Sequence, residues 1–176
     1  MNAMKKEKAV EKETKPGNGQ TKPRAFVTMF FLLYMASLFY VVFFAWNYGS
    51  SYGPVGEDGR NLNVVPFLSI HNIYYYSTDI WVPIRILLGN VIMFIPFGFL
   101  FPLVYRRWRR SILGILPVGF FALLLSTFIE VNQYFFTYRV ANIDDVILNT
   151  MGGIVGATFY FLIGKLHFLY VKIAKK

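Results

Sequence analysis

From Ala25 to Trp46 the chain runs for 22 residues without a charged side chain. Wound as a helix at 1.5 Å per residue, that run reaches about 33 Å, enough to cross a hydrocarbon core of roughly 30 Å. It is too long for a signal-peptide core, and no Ala-x-Ala type of cleavage site follows it, so it reads as an uncleaved anchor. Three more long apolar stretches follow, each with only a few charged residues, at about Val82–Tyr105, Ser111–Gln133 and Asp144–Tyr170. Because lipid leaves no water for unpaired backbone groups, runs like these cross as helices. The expected fold class is therefore an all-α integral membrane protein with four transmembrane helices. Composition agrees: 56% of the 176 residues are hydrophobic, above the roughly 45–50% of soluble domains. There is no cysteine, which excludes disulfides, thiol nucleophiles and cysteine-ligated metals.

The positive charge is distributed by side. Residues 1–24 hold seven Lys/Arg and little that is apolar, the pattern of a disordered basic tail. Arg106, Arg107, Arg109 and Arg110 separate the second and third spans, and Lys165, Lys172, Lys175 and Lys176 close the chain. The opposite side carries only Arg60, Arg85 and Arg139. The positive-inside rule then puts both termini in the cytoplasm, in a multi-pass plasma-membrane protein. Residues 172–176 form a basic C-terminal end. The formal charge of +9 is divided by the spans rather than gathered on one face, so it fits a membrane surface and excludes nucleic acid as the partner. The arginine run at 106–110 serves topology and anionic lipid.

Residues 47–82 form the longest external loop. Asn47 through Pro54 reads as turn. Tyr74, Tyr75, Tyr76 and Trp81 are rings that collect at headgroup level, so a short interfacial helix or re-entrant piece is expected near 67–79. His71 and His167 read as ordinary interfacial side chains.

This orientation places nearly every polar residue of spans two to four at the outer level. Arg85 and Asn90 lie early in span two, Glu130 and Gln133 late in span three, and Asp144, Asp145 and Asn149 early in span four, with Arg139 in the connecting loop. Ionisable groups at such depth face a bundle interior or a wet cavity. Ser126, Glu130 and Gln133 share one helical face, as do Asp145, Asn149 and Gly152 or Gly153. Gly152, Gly153 and Gly156 form a smooth stripe, and the small-xxx-small spacing predicts close packing of spans three and four.

A bland assignment fits many of the same residues. Glu130, Arg139, Asp144 and Asp145 can form ion pairs and caps that hold a hairpin, with Asp144 at the N-cap or first turn of span four. Asn90 and Asn149 can be interhelical hydrogen bonds, and Asn63 with Pro66 a turn. For catalysis, Glu130 and Asp145 are the candidate acid or base. The motifs of zinc hydrolases, nucleophile elbows and phosphate loops are missing, and no cofactor or metal is expected. Nor do matched pairs of broken helices point to a transporter.

Four stretches resemble the VanZ-like family of small bacterial membrane proteins. They are Asn63-Val64-Val65-Pro66-Phe67; Asn90 through Leu100 with Pro102; Ser126 through Glu130 to Gln133 and Arg139; and Asp144 through Gly153 with Gly156. Their order and spacing match over about residues 60–160, inside a four-helix membrane domain at 25–171. The resemblance implies lowered susceptibility to glycopeptide antibiotics, chiefly lipid-bearing ones such as teicoplanin, with the D-Ala-D-Ala terminus of peptidoglycan unaltered. It implies no established reaction. On this reading Asn63, Arg85, Asn90, Glu130, Gln133, Arg139, Asp144, Asp145 and Asn149 line an outer-leaflet pocket. Its partners are membrane lipids and a lipoglycopeptide or lipid-linked peptidoglycan precursor, and an oligomer is compatible with it. An intramembrane enzyme acting on an envelope lipid, or a small transporter or flippase, is the alternative.

Overall fold

The structure is a computed structural model that describes residues 21–44, 62–105, 112–137 and 140–175. The expected turn at 47–54, Arg60, the run at 106–110, Arg139 and the first twenty residues lie outside that set. Four helices are long and apolar enough to cross a membrane. They are α1 (Thr21–Phe44), α3 (Trp81–Val104), α4 (Ile115–Asn132) and α5 (Ile143–Ala174). A short helix α2 (Leu68–Tyr76) precedes α3, within the stretch where an interfacial helix is expected.

The boundaries depart from expectation where local chemistry differs from hydropathy. Helix α1 begins at Thr21, four residues inside the expected tail. Pro23 suits a first turn, where its fixed φ is helical and its missing N–H costs nothing. A 3₁₀ turn (Ile112–Gly114) leads into α4, and a π-helical turn (Gln133–Thr137) prolongs it. Helix α5 has 32 residues and reaches about 48 Å, longer than the bilayer core. Its last turns, from Phe161 on, lose their neighbours and are mostly exposed.

Helix α5 packs most extensively on α3 and next on α4. This corrects the expected use of the glycine stripe, which serves span two at least as much as span three. A Cβ at Gly152 would collide with the Val91 carbonyl, and one at Gly156 with the Ile95 carbonyl, both on α3. A Cβ at Gly98 of α3 would strike the Gly153 carbonyl in return. Only Gly153 faces α4 directly, where a Cβ would lie 2.5 Å from the Ala122 methyl. The two backbones therefore meet through glycine on both sides, the close approach that drives helix association where lipid is as apolar as leucine.

Helix α1 lies against α3 and α4. Leu38 and Val42 join Phe94, Phe97, Phe101, Val118, Ala122, Ile129 and Ala157 in one buried cluster. Pro96 breaks the α3 ladder by withholding an N–H. Three residues before Pro96, the Tyr34 hydroxyl of α1 donates to the Met93 carbonyl at 2.7 Å. A side chain from α1 thus ties itself to the backbone of α3 beside the proline.

One feature is not helical. Leu62–Asn63 (β1) and Ala141–Asn142 (β2) pair in parallel, Leu62 with Ala141 and Asn63 with Asn142. The pairing ties the segment before α2 to the start of α5.

Candidate functional site

The candidate site is built around the first turn of α5. Asn142 occupies its N-cap with extended backbone, and its Oδ1 accepts from the Asp144 N–H at 3.1 Å. This is ordinary N-cap chemistry. Its backbone N–H and both atoms of its side-chain amide make further bonds. Its backbone N–H donates to Glu130 Oε2 at 2.9 Å, its Nδ2 lies 3.3 Å from Asp145 Oδ1, and its Oδ1 also accepts from Asn63 Nδ2 at 3.0 Å. One cap residue therefore joins α4, α5 and the loop before α2.

Asp144 sits in the first turn of α5, as expected, but its carboxylate caps a different helix. The Phe67 N–H donates to Oδ1, while Ser69 and Ile70 donate to Oδ2 at 2.8 and 3.1 Å. These are the unsatisfied amides at the start of α2, whose own N-cap position, Phe67, supplies no side-chain bond. Phe67 has a φ of 66°, an unusual conformation for a bulky residue, and it turns the amides toward one point. Asp144 is wholly buried. Three backbone donors and the positive end of α2 compensate for the water its charge has lost.

Asn63 completes the clasp. Its Oδ1 accepts from the Val65 N–H at 3.1 Å, closing the turn, and its Nδ2 also donates to Ser69 Oγ at 2.8 Å. From α3, Asn90 Nδ2 donates to Asp145 Oδ1 at 2.9 Å. Glu130, Asp145 and Asn90 are all buried. Asn63, Asn90, Glu130, Asp144 and Asp145 thus converge in one layer at the end of the bundle where α3 and α5 begin.

The remaining expected residues fall elsewhere. Gln133, in the π-helical turn, donates to the Val42 carbonyl at 2.9 Å and secures α1. Asn149 lies one turn deeper, where its Nδ2 donates to Ser126 Oγ at 2.9 Å. Arg85 is exposed, with its Nε 3.4 Å from the Trp81 carbonyl on its own helix, so it stands outside the buried layer. Sequence reasoning missed Asn142 and Ser69. Asn142 carried a signal, an Asn directly before an Ile-Asp-Asp helix start; Ser69 carried none.

Chemically, the layer is acidic and tightly hydrogen-bonded. Among the described residues no three His, Asp or Glu side chains stand as a group that could hold a metal ion. The carboxylates are separated by the amides that join them.

No solved structure matches the chain. Protein VanZ of Enterococcus faecium is 33% identical over 133 residues, covering 76% of this chain and 72% of that protein. A family model for VanZ/LLP1 matches residues 31–164, a range that takes in α1 from Phe31 and every residue of the polar layer. With most of the chain inside the match and a relative at this identity, the chain belongs to the VanZ/LLP1 family.

Proposed function

We propose that this protein lowers susceptibility to lipid-bearing glycopeptides, teicoplanin above all, by reducing drug binding or accumulation at the outer face of the bacterial plasma membrane. Family membership supplies the antibiotic class. The buried acidic layer at one end of the bundle, assembled from α3, α4, α5 and the segment before α2, is the observation that carries the site. With both termini in the cytoplasm, that end lies in the outer leaflet, where an amphiphilic drug or a lipid-linked cell-wall precursor presents its head.

In this reading Asn63, Asn90, Glu130, Gln133, Asp144, Asp145 and Asn149 shape the pocket. Glu130 and Asp145 are its charged contacts, and Asn63, Asn90 and Asn149 its hydrogen-bonding ones. Asp144 and Gln133 act through position, the first by holding α2 and the second by holding α1. Arg85, exposed outside the buried layer, meets phosphate or carboxylate, and Arg139, between the third and fourth spans in the sequence, is the second basic partner for such a group.

The test is the amount of labelled teicoplanin bound to susceptible cells that make equal levels of wild-type or Glu130→Gln protein. Glutamine keeps an oxygen for the Asn142 N–H while removing the charge and the second acceptor oxygen. Wild type is expected to lower binding and Glu130→Gln to lose most of that effect, with vancomycin little changed. Unchanged binding with wild-type protein would end the antibiotic assignment. A fully active Glu130→Gln would remove the acidic layer from it.

A further inference from the structure

Helix α5 outruns its neighbours at the end opposite the polar layer, and the glycine contacts fix by how much. Gly152 lies 61 positions after Val91, whose carbonyl it faces, and Gly156 lies 61 after Ile95, whose carbonyl it faces. The two helices run the same way with the same rise, so Val104 at the end of α3 is level with Lys165. On the antiparallel α4, Ala122 meets Gly153, which sets Ile115 at its start level with Tyr160. Leu166–Ala174 therefore extend past both neighbours, for about 14 Å. In the sequence, α3 is followed after Tyr105 by the arginines of 106–110, the mark of a membrane edge.

The overhang is not built for water. Leu166, Leu169, Tyr170 and Ile173 recur at i, i+3, i+4 and i+7, one apolar helical face, and they are 44–73% exposed. Val171 and Ala174 widen that face, and His167 is the one polar group on it. Lys165, Lys172 and Lys175, all exposed, fall within about 80° of one another on the opposite side. Phe168 is the one apolar side chain among them. Carried straight into water, the apolar face would forgo the burial that favours folding and membrane association. Gly164 stands at the exit, where a Cβ would meet nothing within 4 Å. Glycine holds a helix poorly, and with nothing packed on it the helix bends there without losing a contact.

We propose that α5 turns at Gly164 and that Leu166–Lys175 lie in the headgroup layer as an anchor selective for anionic phospholipid. A wide apolar face beneath a lysine face is the pattern of a helix lying in the interface plane. The apolar face enters the acyl boundary, and the lysine stems reach along it to the phosphates. From Lys165 to Lys175 the charges span about 15 Å, so they meet a lipid surface rather than one small anion. With both termini in the cytoplasm this is the inner leaflet, whose negative potential attracts juxtamembrane lysines. The anchor stands at the far end of the bundle from the polar layer and is independent of the drug-binding reading.

Because the chain has no native cysteine, the full-length protein can carry one nitroxide at a time, at Leu166→Cys, Phe168→Cys, Leu169→Cys, Lys172→Cys or Ile173→Cys. Each is reconstituted in vesicles of phosphatidylcholine alone or mixed with phosphatidylglycerol. Collision with oxygen is then compared with collision with a water-soluble nickel chelate. In the mixture, oxygen is expected to dominate at Leu166, Leu169 and Ile173 and the chelate at Phe168 and Lys172, with no drift along the chain. Chelate access at Ile173→Cys should be at least about fivefold higher in phosphatidylcholine alone, the weight of a single lysine at an anionic surface. Combining Lys165→Gln, Lys172→Gln and Lys175→Gln should erase that lipid dependence. These side chains lie at or beyond the end of the packed bundle, so the fold is expected to survive the change.

Chelate access that climbs steadily from Leu166 to Ile173 would mean a helix standing in water and would overturn the proposal. Low access to both reagents at Leu166, Leu169 and Ile173 would overturn it as well, since a second copy or another protein would then cover the face. Equal profiles in the two vesicles would remove the selection for anionic lipid. The collision profile reads depth and not side, so neither the orientation of the chain nor teicoplanin enters the result.

Discussion

Asp144 shows how much one side chain can organise. Its two oxygens receive three backbone N–H groups from residues 67–70 while its own main chain begins α5. Asparagine in its place would offer one oxygen instead of two and no charge for the start of α2. Asp144→Asn is therefore expected to destabilise by about 2 kcal/mol, the scale of a charged hydrogen-bond network losing its charge. The same change should speed hydrogen exchange at Phe67, Ser69 and Ile70. Unchanged exchange at those amides would mean that α2 is held by something other than this carboxylate. The residue was legible as polar and as a first-turn acid. Its partner was not, because 74 to 77 positions separate donor from acceptor and no local pattern reports such a distance.

At the scale of elements, the glycines decide which helices touch. Gly98, Gly152 and Gly156 let α3 and α5 meet backbone to backbone, whereas a Cβ at Gly89 or Gly164 would meet nothing within 4 Å. Two otherwise similar substitutions should therefore diverge. Gly164→Ala removes a poor helix former from an exposed position and is expected to be neutral or stabilising by up to about 1 kcal/mol. Gly156→Ala drives a methyl into the Ile95 carbonyl, which has no room to yield, and should cost at least about 2 kcal/mol. Chemical denaturation of the two variants in one detergent checks the pair, and equal stability would contradict the close α3–α5 contact. The small-residue spacing announced a close contact from the sequence. It did not say with which helix, since a glycine stripe fits any neighbour that is smooth enough, and Gly98, between Pro96 and Pro102, has no small-residue stripe of its own.

For the whole molecule, orientation is the next measurable property, and the absence of native cysteine makes it accessible. A membrane-impermeant maleimide is expected to label Ser77→Cys, at the end of α2, in intact cells. It should label Lys172→Cys, in the last turn of α5, only after permeabilisation. The opposite pattern would place the polar layer in the cytoplasmic leaflet and would remove the proposed access to an external drug. Orientation also fixes which part of α5 projects beyond its neighbours. The exposed turns after Phe161, with Lys165 and Lys172, would emerge at the cytoplasmic surface, where basic side chains meet anionic lipid.

The sequence by itself determined the number of spans, their approximate limits, the short helix before α3 and the clustering of polar residues at one level. These follow from hydropathy, helical rise and charge asymmetry, which act over one or two turns and do not depend on partners. The tertiary structure decided the rest. It set Asn142 as the hub and Asp144 as the cap of α2, moved Arg85 to the surface, and brought the Tyr34 hydroxyl to the Met93 carbonyl of α3. Each is a hydrogen bond between segments distant along the chain. In a low-dielectric interior every buried polar group must find such a partner, so the partner's identity depends on how the helices pack.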